Sequence, residues 1–192
     1  ASGLTDECRH QLTNELYGLL DRIDWLITTL LKISKLDAGT VQFNKETVSL
    51  EMLINKSCAP LLIPIELRGQ ELIIRAEGDF YGDPAWTSEA VGNILKNCME
   101  HTPDGGKIEI EAAENALYSE IVIKDNGTGI SPEDLPHLFE RFYKGKTSSS
   151  QSIGIGLALS RMILSAQNGT LRASNRPEGG ARFTIRFYKS VI

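Results

Sequence analysis

The sequence predicts an α+β protein, a two-layer α/β sandwich preceded by a long, bundle-forming α-helix. Three observations predict it. Residues 5–36 contain no proline and a single glycine, Gly18, and their apolar residues recur at a helical period. From residue 45 onward, short β-branched runs alternate irregularly with longer helical patterns, which favours a mostly antiparallel sheet with helices on one side. Glycine clusters in this second part fall where a strand ends or a helix begins, and there backbone amides are free to meet a ligand.

In the first helix, Leu12, Leu16, Leu19, Ile23, Leu26, Leu30 and Ile33 are spaced 4, 3, 4, 3, 4 and 3 residues apart. That is a heptad stripe. Leu20 and Ile27 add a flanking row, so the face is wider than a two-stranded seam and suits a four-helix bundle. At about 1.5 Å per residue the helix would run roughly 48 Å. Asp37-Ala38-Gly39 supplies a glycine stop, so residues 1–40 and 41–192 read as separate domains, and helix 5–36 as a homodimer surface.

The later elements follow from periodicity and punctuation. "TVSL" reads as a short strand, and 51–63 as a helix ending near Pro60 and Pro64. "ELIIRA" (71–76) is a strand, and "DFYGD" leads into a helix over 84–101. "KIEIEAA" (107–113) and "YSEIVIKD" (118–125) alternate as half-buried strands do. A polar stretch at 143–152 precedes a helix over 155–167. "TLRASN" and "ARFTIRFY" then close the chain, with Gly179-Gly180 at their turn. There is no internal repeat.

Bulk properties narrow the function. With 20 Lys and Arg against 25 Asp and Glu, the net charge is −5, so there is no general electrostatic case for nucleic acid. Cys8, Cys58 and Cys98 are widely spaced, odd in number and without a CxxC pair, which reads as reduced thiols in a cytosolic setting. Apolar runs such as "WLITTLL" are far short of a membrane span.

The residues that carry chemistry begin at the strand ending in Asp125. It delivers an acid into Asn126-Gly127-Thr128-Gly129 and then Ile130. Asn-Gly is a hairpin signal, yet Ser131-Pro132-Glu133-Asp134 follows, which reads as a short helix start rather than a second strand. In helix 84–101, Val91, Ile94, Leu95 and Cys98 form the core stripe, while Asn93 and Asn97 stack four residues apart on the other side with Lys96 and Glu100. Their carbonyl oxygens suit a hard cation. Gly154 and Gly156 open a helix whose amides suit an anion. "LFERFYKGK" (138–146) places Phe139 and Phe142 as anchors beside Arg141, Lys144 and Lys146, and the adjoining "TSSSQS" is small and polar as a lid would be.

In this order, "NILKN", "DNGTGI", "FERF", "GIGLAL" and "GGARF" resemble the five nucleotide-binding boxes of the histidine kinase catalytic domain, the Bergerat-type ATP-binding fold shared with gyrase and MutL. The match covers roughly residues 45–190, and "LITTLLKISKLDAG" resembles the end of the second helix of the kinase dimerisation domain. The resemblance implies ATP and Mg²⁺ as ligands. Asp125 would accept from the adenine amino group, with Gly127, Gly129 and Ile130 passing close to the nucleotide. Asn97 would hold Mg²⁺, with Asn93 beside it in the phosphate site. Arg141, Lys144 and Lys146 would meet the triphosphate, Gly154, Gly156 and Leu157 would cradle phosphates, and Gly180 would approach the base. Tyr143 borders the nucleotide or serves packing. The resemblance also implies a response regulator as downstream partner, a cytoplasmic location and a membrane-anchored parent.

Two departures stand out. Where the family often has Lys, then Tyr, Phe or His, this chain has Glu100 and His101. Glutamate there cannot neutralise phosphate, so that work falls to the lid cations. The acceptor box is also absent: "HQLTNEL" at His10 has Glu15 in the proline position, and no turn separates His10 from Leu36. The expectation is that His10 belongs to the second hairpin helix, that the acceptor histidine lies outside this chain, and that the chain does not phosphorylate itself. Three other readings stay open, an ATP hydrolase of the gyrase type, an anti-sigma-type serine kinase on the same fold, and an interaction module independent of nucleotide. Against the first, Asn93 stands where such hydrolases place the glutamate that activates water.

Overall fold

The computed structural model describes residues 5–145 and 153–189. The chain divides into two compact units, Ala1–Val41 and Gln42–Ile192.

The first unit holds one helix, α1 (Asp6–Asp37). Thr5 caps it by accepting from the Cys8 amide, and Asp6 and Glu7 sit in the first turn, where acids complement the helix dipole. Gly39 follows with φ +64°, and its amide donates to the Leu36 carbonyl as the helix ends. Leu12, Leu16, Leu19, Ile23 and Leu30 of the stripe are all 40% exposed or more.

In the second unit, β1 (Glu46–Ser49) runs directly into α2 (Leu50–Cys58), for which Ser49 is the cap, accepting from the Met52 amide. The helix expected over 51–63 is broken. A 3-10 turn (Ala59–Leu61) carries Pro60, and α3 (Leu62–Leu67) restarts the helix with Pro64 in its first turn, where a missing amide costs nothing. Next come β2 (Glu71–Ala76) and β3 (Asp79–Gly82). The "DFYG" segment is thus a strand rather than a lead-in loop, because it pairs antiparallel with β1 in a two-stranded sheet of its own. Asp83 caps α4 (Pro84–His101) by accepting from the Ala85 and Trp86 amides.

β4 (Lys107–Glu114), β5 (Tyr118–Asp125), α5 (Gly156–Ala166), β6 (Gly169–Asn175) and β7 (Ala181–Tyr188) complete the unit. No α-helix starts at Ser131; Pro132 leads into turns and a 3-10 turn at Leu135–His137. The main sheet has the order β2-β4-β5-β7-β6, parallel between β2 and β4 and antiparallel elsewhere.

Helices cover one face of that sheet. Ile108, Ile110, Ile121, Ile123, Phe183 and Ile185 are fully buried, as are Val91, Ile94, Leu95 and Cys98 of α4 and Ile163 and Leu164 of α5. The core stripe read from α4 is therefore the stripe that packs. α4 and α5 run antiparallel: Gln167 after α5 donates to Thr87, the Ser160 hydroxyl donates to the Ala90 carbonyl, and Gly156 lies beside Asn93. This pairing sets the site, because it carries the start of α5 to the middle of α4.

Candidate functional site

Two clusters meet at the C-terminal half of α4. The first surrounds Asp125, the last residue of β5, only 1% exposed. Its Oδ1 accepts from the Gly127 amide at 2.9 Å and from the Ala181 amide at 3.1 Å. Its carbonyl accepts from Arg176 Nη1 at 2.9 Å. The loop behind it is packed without slack. A side chain at Gly127 would run into the His101 carbonyl, and one at Gly180 into the Asp125 carbonyl, so glycine is required at both by close approach of backbone. Gly129 and the half-buried Ile130 continue the loop, and Asn175 clasps Ile130: its Oδ1 accepts from the Ile130 amide and its Nδ2 donates to the Ile130 carbonyl, both at 2.7 Å.

α4 closes against this loop from below. Complete burial, then the neighbouring Asp125 carboxylate, push the Cys98 thiol well above the usual thiol range. The Cys58 thiol, likewise buried, is pushed up to about 11. The end of α4 is itself tied down. Arg68 donates to the Met99 and Thr102 carbonyls, and Gln70 donates to the same two at 3.0 and 2.8 Å. A cation at the carbonyl end of a helix also complements its dipole.

The second cluster lies where α5 begins. Asn93 and Asn97 are half-buried, and the Asn93 side chain is 3.9 Å from where a Cβ at Gly156 would stand. Ile155 precedes α5 without capping it by a side chain, so among the described residues its first-turn amides have no such partner. Leu157, in that first turn, is half-buried. Gly154 has φ +75°, and its carbonyl accepts from the Phe142 amide at 2.9 Å, which brings "FERF" to the start of α5.

The cations expected at the phosphates have different surroundings. Arg141 is exposed and donates to Met162 of α5 at 3.4 Å; Lys144 is exposed; Lys146 lies outside the described residues, as does the "TSSSQS" segment up to Ser152. The Tyr143 hydroxyl donates to Asp134 Oδ1 at 2.7 Å, and that bond raises the phenol's pKa, while its ring lies against His137. Glu100 is exposed and pairs with Lys96 at 3.9 Å. His101 is half-buried.

The structure thus brings Asp125, Gly127, Gly129, Ile130 and Gly180 together, and separately Asn93 with Gly156. Asn97 stands on α4 one residue before Cys98 and four after Asn93. Sequence reasoning missed Asn175, Arg176 and Asp134. The signal for the first two was their place directly before the glycine turn that closes on Asp125.

Comparison with known proteins bears on the family and the fold. The profile of the family described as histidine kinase-, DNA gyrase B-, and HSP90-like ATPase matches residues 82–190, more than half of the chain. The chain belongs to this family. Within it, the kinship is with the catalytic domains of sensor histidine kinases. The heme sensor protein HssS of Staphylococcus saprophyticus is 28% identical over 188 residues, covering 96% of this chain and 40% of HssS. The sensor protein SphS of Synechococcus elongatus is 31% identical over 191 residues, covering 90% of this chain and 45% of SphS. The chain therefore spans less than half the length of these curated relatives. Full-length ShkA, solved in complex with AMPPNP, matches 99% of this chain and 41% of its own at a TM-score of 0.81 and 19% identity, which shows the shared fold.

For this ATPase fold, the donor set fits a cation carried in with a nucleotide. Among the described residues no group of three or more His, Cys, Asp or Glu could hold a metal alone. An asparagine oxygen plus phosphate oxygens and water is the set a magnesium ion accepts.

Proposed function

We propose that this chain is the ATP-binding catalytic part of a sensor histidine kinase, passing the γ-phosphoryl group of ATP to a histidine on a dimerisation helix for relay to a response-regulator aspartate. One observation carries the reading: Asp125 is buried at the end of β5, with one carboxylate oxygen held by two backbone amides. A carboxylate fixed in this way presents its other oxygen in a set direction, and the adenine amino group is the donor it accepts. Gly127 and Gly180 let the backbone close around the base.

At the other end, Asn97 would hold Mg²⁺ by its side-chain oxygen, with Asn93 one helical turn before it on α4. The cation would supply positive charge against the triphosphate. The first-turn amides of α5 and the neighbouring Gly154 and Gly156 bind phosphate oxygens, assisted by the helix dipole. Arg141, Lys144 and Lys146 supply the positive charge that Glu100 does not. With Asn93 in place of a water-activating glutamate, the chain's residues position the triphosphate for transfer rather than hydrolysis.

Helix α1 (Asp6–Asp37) is the second helix of the dimerisation hairpin, and its apolar stripe is the homodimer face. The parent protein is anchored in the bacterial membrane with this part in the cytoplasm; among the described residues no helix is long and apolar enough to cross a membrane.

The test is labelling with γ-³²P-ATP and Mg²⁺, with and without an intact kinase partner that cannot bind ATP. The reading predicts acid-labile label on the partner and none on this chain. Acid-labile self-labelling that disappears in His10→Gln would place the acceptor on α1, and free phosphate without any labelled protein would make the chain a hydrolase.

A further inference from the structure

We infer that Asn175 is a positioning residue for the nucleotide base, acting through the loop that follows Asp125. The inference rests on the reading of Asp125 as the residue that meets adenine.

Among the described residues, no main-chain to main-chain hydrogen bond reaches residues 127–130. The loop is instead held at its two ends by the β6–β7 turn. At the Asp125 end, Arg176 Nη1 holds the carbonyl and the Ala181 amide holds Oδ1. At the other end, the Asn175 carboxamide matches both polar groups of Ile130, accepting from its amide and donating to its carbonyl. This is the two-bond pattern of a paired β residue, made by a side chain. Among side chains of this length only asparagine offers an acceptor and a donor side by side; aspartate has no donor. Gly129 passes so close that a Cβ there would stand 2.8 Å from Asn175 Oδ1. Without Asn175, the Gly129-Ile130 segment is free to move and must be ordered each time a base binds.

Because Asn175 acts on the base side, its loss weakens ATP and adenosine by the same factor and leaves the Mg²⁺ dependence of ATP binding unaltered. For one neutral pair of exposed hydrogen bonds, the expected loss in Asn175→Ala is about three- to tenfold. Asn175→Asp supplies a readout that packing alone would not move. Its carboxylate still accepts from the Ile130 amide but sets a negative oxygen against the Ile130 carbonyl, and protonation restores the donor. Its deficit relative to wild type therefore shrinks as pH falls from 7.5 toward the carboxyl range, about pH 4–5.

The experiment is titration of adenosine and Mg²⁺-ATP into the full 192-residue chain, its Asn175→Ala and Asn175→Asp variants, and Asp125→Ala, with circular dichroism to confirm folding. Equal weakening for both ligands in Asn175→Ala, and a pH-dependent deficit in Asn175→Asp, is the expected result. Wild-type affinity in Asn175→Ala, weakening of ATP alone, or a deficit in Asn175→Asp that is flat with pH overturns the inference. If Asp125→Ala weakens both ligands while the Asn175 variants do not, only this inference fails. If Asp125→Ala binds as wild type does, the base-site reading fails with it.

Discussion

At Asp125 the side chain holds its own loop before it meets any ligand, since Oδ1 is already taken by the Gly127 and Ala181 amides. Its burial is tolerable because those bonds compensate the lost water. Asn97 works differently: it is half-buried on the flank of α4 and has only a neutral oxygen to offer a cation. Replacing it with alanine is therefore expected to reduce the Mg²⁺ dependence of ATP binding while leaving adenosine binding intact. A Mg²⁺ titration of ATP affinity identical to wild type would contradict that role. Asp125 was legible in the sequence because a strand of β-formers ran into an acid and then glycines with no second strand behind them. Asn175 was not, because an asparagine before a glycine turn is an ordinary turn residue. Its contact with Ile130 is made across 45 positions of chain that no local pattern encodes.

Among the elements, α1 shows the contrast between a helix that is formed and a helix that is satisfied. Its cap and acidic first turn specify where it starts, yet Leu16, Leu19 and Ile23 remain 57%, 55% and 53% exposed. A stripe of that width gains by burial against a like helix, at roughly 25 cal/mol per Å² of apolar surface covered. If it is the homodimer face, Leu19→Glu with Ile23→Glu is expected to shift sedimentation equilibrium to the monomer without loss of the second unit's fold. A wild-type chain that sediments as a monomer at high micromolar concentration would contradict it. The heptad made this helix plain from the sequence. The break after α2 was harder to place, because Pro60 and Pro64 mark where a helix ends but not that another resumes, and Pro64 is tolerated in the first turn of α3. β3 was missed because four residues ending in glycine form a strand only by pairing with β1, which is non-local information.

For the molecule as a whole, the sheet separates stability from function. Its covered face is a continuous set of buried isoleucines and phenylalanines against α4 and α5, and truncating one of them, as in Ile123→Ala, is expected to cost about 2–5 kcal/mol in chemical denaturation. The opposite face is laced with cross-strand ion pairs such as Lys124 with Glu111 at 2.6 Å and Arg75 with Glu111 at 3.6 Å, each worth at most about 1 kcal/mol at this exposure. The site belongs to neither face. The proposed site lies beyond the end of β5, bordered by α4 and the β6–β7 turn, with the start of α5 beside Asn93, and the boxes are scattered along the chain because they come from different elements. Their order was readable, whereas their meeting point required the antiparallel packing of α4 on α5. The central claim is that this meeting point holds ATP by its base at Asp125. Calorimetric titration of Mg²⁺-ATP into the wild-type chain and Asp125→Ala tests it most directly. The account predicts binding to the wild type and a loss in the variant of roughly 1.5–3 kcal/mol, about 10- to 150-fold, as for a hydrogen bond to a charged group. Equal affinity in the two proteins, or no binding to either, would contradict it.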